Sequence, residues 1–244
     1  MIDPIHAAAN GTGTSSDLSR FRHIAIEGPI GVGKTTLTRR LASRIVAEQM
    51  LEQPSENPFL DRFYDDMPGY AFQTQLFFLF QRQKQMRALT QPSMFAQTTV
   101  SDFMFEKDAL FARLTLSDDE YRLYAQMHAP IAAELRPPDL VVWLQASTPT
   151  LLGRVRRRGL AMEHAIDGDY LERLSDAYAE FFARYDGAPV LAVDTEQLDF
   201  ASRDADLLRL IGRLEQFRGP RELLGVSDDA QIDAPWPADG PSRH

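Results

Sequence analysis

The sequence predicts an α/β protein: a doubly wound, three-layer α/β/α domain built on a parallel sheet of five strands. Three observations point there. Short apolar runs alternate with longer helical patterns, the order expected of a parallel sheet with helices on both faces. Leu140-Val141-Val142-Trp143-Leu144 is apolar without a break, as a strand covered on both sides should be. Finally, Gly28-Pro29-Ile30-Gly31-Val32-Gly33-Lys34-Thr35 is a complete G-x-x-x-x-G-K-[ST] loop between an apolar run and an amphipathic helical pattern.

The first strand is His23-Ile24-Ala25-Ile26-Glu27, and Leu37, Leu41, Ile45 and Val46 recur at helical spacing beyond the loop. Glycines let such a loop wrap a polyphosphate with its N–H groups inward, while the helix that follows presents its positive dipole end to the same anion. Lys34 is placed to reach the β- and γ-phosphates. The Thr35 hydroxyl suits a Mg²⁺ sphere otherwise filled by water and phosphate oxygens.

Gln49 to Gln53 reads as a second strand, broken at Pro54. Glu52 then sits at a strand end, on the edge where open parallel sheets gather their ligands. Position alone leaves it either a surface glutamate or an acidic group facing the phosphate loop. Glu56 to Tyr64 suits a short helix and Tyr70 to Leu89 a long one, with Phe72, Leu76, Met86 and Leu89 keeping helical spacing. Gln73, Gln75 and Gln81 interrupt that apolar helix. A glutamine turned inward needs a hydrogen-bonding partner, and a planar nucleobase is one.

Thr98 to Ser101 is the third strand and delivers Asp102 at its carboxyl end, where an acidic residue can organise Mg²⁺ beside the phosphates. Helical patterns follow at Phe103 to Leu114 and Asp118 to Leu135, the second halted by Pro137-Pro138. After the Leu140–Leu144 strand, Arg154, Arg156, Arg157 and Arg158 crowd into one helical turn that ends at Gly159. Arg154 and Arg158 share a face while the other two point elsewhere. By composition such a run is a solvated face; after a late strand of a phosphate-binding domain it can close over a nucleotide. Asp169 to Tyr185 is amphipathic, with aromatics as its packing stripe. Val190 to Val193 is the fifth strand, ending at Asp194, and a last helix carries Leu207, Leu210, Ile211, Leu214 and Phe217.

The ends differ in character. Residues 1–20 mix Ala, Gly, Ser and Thr without periodicity, and 219–244 are rich in Pro, Gly and Asp, so both read as flexible segments around one domain at 21–218. The net charge of -9 argues against a nucleic-acid polymer as partner. No cysteine is present, which excludes disulfides, thiol catalysis and thiolate zinc sites. The densest apolar run, Leu76 to Phe80, is too short to cross a membrane, and a cytoplasmic protein is expected.

From about Arg22 to Phe217 the chain resembles the deoxynucleoside kinase family, within the P-loop nucleoside triphosphate hydrolase fold. The resemblance lies in the phosphate loop, Glu52, Tyr64, Phe72-Gln73-Thr74, Asp102 through Asp108 with Leu110-Phe111-Ala112, Arg154 through Gly159 with Glu163, and Val193-Asp194. It implies transfer of the ATP γ-phosphoryl group, with Mg²⁺, to the 5′-hydroxyl of a deoxynucleoside, and a homodimer. It implies Glu52 as general base, Tyr64 and Glu163 on the sugar 3′-hydroxyl, and Gln73 and Asp108 on the base. Arg154 and Arg158 would be lid arginines, in a lid at about 154–164. The implied ATP-binding set is Gly28, Gly31, Gly33, Lys34, Thr35, Thr36, Arg154 and Arg158, with Thr35 and Asp102 for the metal.

One departure is plain. Many relatives carry an arginine after the acidic residue of the third strand, whereas Phe103 follows Asp102. Lys107 is a candidate substitute and equally a surface lysine. The Asp-Phe-Met-Phe-Glu-Lys-Asp pattern resembles bacterial-type members and favours a deoxypurine acceptor. The rival enzyme, a thymidylate kinase-like monophosphate kinase, typically carries Asp-Arg after the third strand, which is absent here. A guanine-specific switch would need Asn-Lys-x-Asp, also absent. A non-catalytic nucleotide-binding scaffold is the remaining alternative.

Overall fold

The computed structural model describes residues 18–89, 97–160, 163–196 and 198–225. Six strands form one parallel sheet: β1 (His23–Glu27), β2 (Glu48–Met50), β3 (Thr99–Ser101), β4 (Leu140–Gln145), β5 (Val190–Asp194) and β6 (Arg221–Leu224), in the order β2-β3-β1-β4-β5-β6. The helices are α1 (Lys34–Ile45), α2 (Leu60–Asp65), α3 (Met67–Ala88), α4 (Lys107–Thr115), α5 (Asp118–Glu134), α6 (Thr148–Arg158), α7 (Gly168–Arg184) and α8 (Asp204–Gln216). The strand order reverses at β1, so the crevice beside the phosphate loop is the topological switch point of the sheet.

The sheet has six strands where five were expected. Arg221–Leu224 falls in the stretch read as a loose tail, yet it pairs in parallel with β5, from Val190 opposite Arg221 to Val193 opposite Leu224. The amino-terminal boundary shifts as well. Leu18 is buried, and Arg20 donates to the carbonyls of Leu214 and Phe217 at 2.9 and 2.7 Å, tying this stretch to α8 and the turn after it. The rest of the two expected flexible segments, 1–17 and 226–244, lies outside the described residues.

Local chemistry sets the helix ends that matter for the site. Asp66 accepts from the Gly69 amide at 3.2 Å at the start of α3, with Pro68 in its first turn. Ser117 and Glu120 form a reciprocal capping box at the start of α5. Gly159 ends α6 in the left-handed conformation, φ 66°. Two apolar clusters result. One wraps the sheet between its helical layers; the other lies among α2, α3, α4 and α5 and contains Leu60, Phe63, Phe78, Phe103 and Tyr124. This second cluster backs one wall of the crevice. No helix among the described residues is long and apolar enough to cross a membrane.

Candidate active site

The loop after β1 is packed too closely for side chains. At Gly28, φ 147°, a Cβ would lie 2.4 Å from the Leu144 carbonyl oxygen; at Gly31, φ 85°, it would lie 2.8 Å from that of Leu151. Glycine at these positions lets the loop lie directly on β4 and α6. Lys34 folds back along its own loop, its Nζ donating to the Gly28 and Pro29 carbonyls at 2.7 and 3.1 Å. Burial lowers its pKa to about 8 against the pull of Glu27, and the Lys107 charge adds to the lowering.

A cleft of about 850 Å³ opens from this loop. It is lined by Gly31, Gly33, Lys34, Thr35, Thr36, Glu52, Tyr64, Asp102, Arg154, Arg158 and Glu163, so most of the residues singled out in the sequence meet in one place. Gly28 and Asp108 lie behind this lining, under the loop and behind Arg82 respectively.

Glu52 and Asp102 meet at the carboxyl edge of the sheet. Asp102 accepts from the Thr35 hydroxyl at 2.5 Å and, through its other oxygen, from the Glu52 amide at 2.7 Å. Burial raises the Asp102 pKa against these hydrogen bonds. One hydroxyl and one carboxylate side by side are hard oxygen donors at the mouth of a phosphate loop. That donor set fits a Mg²⁺ ion completing its shell with water and phosphate oxygens. Among the described residues no group of three or more His, Cys, Asp or Glu could hold a metal without such help.

The Glu52 carboxylate receives Arg82 Nε at 2.9 Å on Oε1 and Lys107 Nζ at 3.2 Å on Oε2. Burial pushes its pKa up, but Arg82 and Lys107 more than offset this and hold it down at about 2. Glu52 is therefore ionised and faces the cleft. Arg82 also pairs with the fully buried Asp108. On the far side, Arg158 Nε donates to Glu163 at 3.0 Å, and Tyr64 lines the cleft within the electrostatic reach of both. Arg154 donates to the Thr195 hydroxyl and carbonyl at 2.9 and 2.7 Å and to the Val32 carbonyl at 3.3 Å, which anchors α6 to the phosphate loop.

Two expectations change. Gln73 is exposed and does not line the cleft; the face of α3 turned inward carries Thr74, Gln75, Phe78 and Arg82, spaced as one helical stripe. Of the glutamines noted on this helix it is Gln75 that turns inward, and Arg82 is the residue that sequence reading missed; the i, i+3, i+7 spacing from Gln75 through Phe78 to Arg82 was the available signal. Arg157, expected to point away, lines the cleft with Arg154 and Arg158. Within the expected lid, residues 161–162 lie outside the described residues.

A family model, Deoxynucleoside kinase, matches residues 24–217. The chain belongs to the deoxynucleoside kinase family. It is 33% identical over 198 residues to the deoxyguanosine kinase of Bacillus subtilis, covering 79% of this chain and 96% of that protein. It is 34% identical over 191 residues to the deoxyadenosine kinase of Dictyostelium discoideum, covering 72% and 76%. Among solved structures, deoxyadenosine kinase from M. mycoides with bound dATP superposes with a TM-score of 0.69 at 27% identity, covering 79% of this chain and 98% of that one. In this chain the phosphate loop and the Glu52 carboxylate share one cleft.

Proposed function

We propose that this deoxynucleoside kinase transfers the γ-phosphoryl group of ATP to the 5′-hydroxyl of a purine deoxynucleoside. The observation that carries the reading is the ionised Glu52 carboxylate in the same cleft as Lys34 and the phosphate loop. Glu52 takes the 5′-hydroxyl proton as the oxygen attacks; the new O–P bond forms in line with the bond to the β-phosphate oxygen that breaks, and ADP leaves. The hydroxyl becomes acidic only late in this step, so a low-pKa carboxylate placed beside it suffices. Mg²⁺ bound near Thr35 and Asp102 would neutralise charge on the phosphates. Arg154 and Arg158, with Arg157 beside them, would steady the transferring group from α6.

On the acceptor side, Tyr64 and Glu163 would hold the 3′-hydroxyl, while Gln75 and Arg82 would meet the base, Arg82 being held in place by Asp108. The deep cations Arg82 and Lys107 are already paired with carboxylates, which favours an uncharged acceptor over a monophosphate. The purine preference rests on the deoxyguanosine and deoxyadenosine kinases among the relatives. Phe80 on α3 and Leu123 on α5 are about half exposed, and such apolar surface suits a homodimer. Its use of ATP suits a cytoplasmic location.

The test is ADP release with Mg-ATP and each of the four deoxynucleosides and their monophosphates. Turnover is expected with deoxyguanosine or deoxyadenosine, and Glu52→Gln should lower kcat by about 100- to 10,000-fold. Faster turnover of a monophosphate would move the protein to the rival chemistry.

A further inference from the structure

Lys107 is 3% exposed, and its ammonium lies between two carboxylates from different parts of the chain. Nζ is 3.2 Å from both oxygens of Glu52 and 3.9 Å from Oε2 of Glu27, with the Phe111 ring centroid 5.9 Å away. Glu27 ends β1, immediately before the phosphate loop, and is fully buried. It accepts from the Gly28 amide at 2.9 Å and the Tyr178 hydroxyl at 2.8 Å on Oε1, and from the Met104 amide at 3.0 Å on Oε2. Glu27 is thus fixed by donors from the loop, from α7 and from the connection after β3.

We propose that Lys107 is a positioning residue for Glu52, held in the core from behind by Glu27. The inference rests on the reading of Glu52 as the base. A buried ammonium is costly without anionic partners, and the immobile Glu27 supplies one from behind. Arg82 holds Oε1 of Glu52, and Lys107, 3.2 Å from both oxygens, is the cation that also reaches Oε2. The two cations together fix both the place and the rotation of the carboxylate. Phe103, directly after Asp102, is wholly buried among apolar residues, so no cation comes from that position. Lys107, five residues after Asp102, brings its charge to Glu52 from the first turn of α4. Because Glu27 also holds the Gly28 amide, one carboxylate ties the position of the candidate base to that of the phosphate loop.

The experiment is a double-mutant cycle of Lys107→Met with Glu52→Gln, with Lys107→Arg alongside, reading kcat, both KM values and the thermal melt. Misplacing the base should cost Lys107→Met about 100-fold in kcat, with the KM for ATP within about twofold of wild type. Lys107→Arg should recover at least about a tenth of the wild-type kcat. In the Glu52→Gln background Lys107→Met should cost less than about threefold, because a residue acting through Glu52 has nothing left to position. An equal cost in both backgrounds overturns the proposal in favour of a purely structural role. So does a Lys107→Met enzyme with wild-type kcat beside a crippled Glu52→Gln enzyme. Wild-type kcat in Glu52→Gln alone overturns the reading of Glu52, and the inference with it. Should Lys107→Met not melt cooperatively, Lys107→Gln takes its place in the same cycle. If that variant also fails to fold, a Lys107→Arg enzyme with a wild-type melt but under about a hundredth of the wild-type kcat overturns the proposal.

Discussion

Arg82 donates through Nε to the Glu52 carboxylate at 2.9 Å, from a side chain that is 4% exposed and also paired with Asp108. One guanidinium from α3 therefore joins the end of β2 to the first turn of α4. It links the part of the cleft proposed for the reacting hydroxyl with the part proposed for the base. The fork geometry of arginine allows both contacts at once, which a lysine ammonium on a flexible stem does not reproduce.

Removing that guanidinium leaves the fully buried Asp108 without its arginine partner and Glu52 with Lys107 alone. Arg82→Met should lower stability by about 3–5 kcal/mol, as breaking a buried pair does when one partner is left behind. Urea denaturation at neutral pH measures this. A loss under about 1 kcal/mol would mean that water or a moved Lys107 replaces the pair. Arg82→Lys should recover part of the stability and raise the KM for the nucleoside.

The inward face of α3 makes a sharper distinction. Gln75 donates through Nε2 to Thr115 Oγ1 at 3.2 Å, and that hydroxyl gives its own proton to the Phe111 carbonyl at 2.7 Å. The amide nitrogen of Gln75 is therefore turned towards Thr115. Gln75→Ala should raise the nucleoside KM by about 10-fold, the worth of one to two hydrogen bonds, whereas Gln73→Ala should change it by less than about twofold. Steady-state kinetics on the two variants decide between the positions, and the reverse result would return the base contact to Gln73.

That pair also shows where the sequence is legible. β1, the phosphate loop and β4 are local signals: each is a run of residues whose types dictate their own conformation, and β1 is found at its expected bounds. Asp102 and Glu52 were accessible for the same reason, since a strand end fixes where the next side chains go. Arg82 was not. An arginine in a glutamine-rich helix that also carries Lys84 and Arg87 reads as surface until its partners, 30 and 26 residues away, are seen to fold over it. β6 escaped because Arg221-Glu222-Leu223-Leu224 has no alternation or apolar run; its strand conformation comes from the ladder offered by β5.

Two glycines near the loop should respond in opposite senses to alanine. Gly31 has φ 85° and would bring its Cβ 2.8 Å from a backbone oxygen and 2.9 Å from Val155. Gly31→Ala should cost about 1–3 kcal/mol and weaken ATP binding, because the loop must move off α6. Gly153 lies inside α6 with nothing within 4 Å of an added Cβ. Gly153→Ala should stabilise by about 0.4–1 kcal/mol with kcat unchanged. Thermal melts with and without Mg-ATP report both, and equal effects would show that the packing of Gly31 on Leu151 is not what fixes the loop.

His23 gives the fold a pH dependence. Its Nε2 lies 2.8 Å from Ser101 Oγ, which spends its own proton on the Phe103 carbonyl at 2.7 Å, so the ring donates through Nε2 and needs no charge. Burial lowers its pKa from 6.5 to about 4, against the pull of Asp139. A lowered histidine pKa means that the unfolded chain binds the proton more readily. The contribution to stability is full above pH 6.5 and is lost as the pH falls towards 4, at about 1.4 kcal/mol per pH unit in that window. His23→Gln keeps a donor for Ser101 and cannot titrate. Denaturation at pH 5 and pH 7.5 should therefore show a smaller pH difference for the variant than for the wild type by about 2 kcal/mol. Ser101 immediately precedes Asp102, so protonating His23 loosens the strand end that carries the candidate metal ligand. Equal pH differences in the two proteins would place the acid sensitivity in other groups.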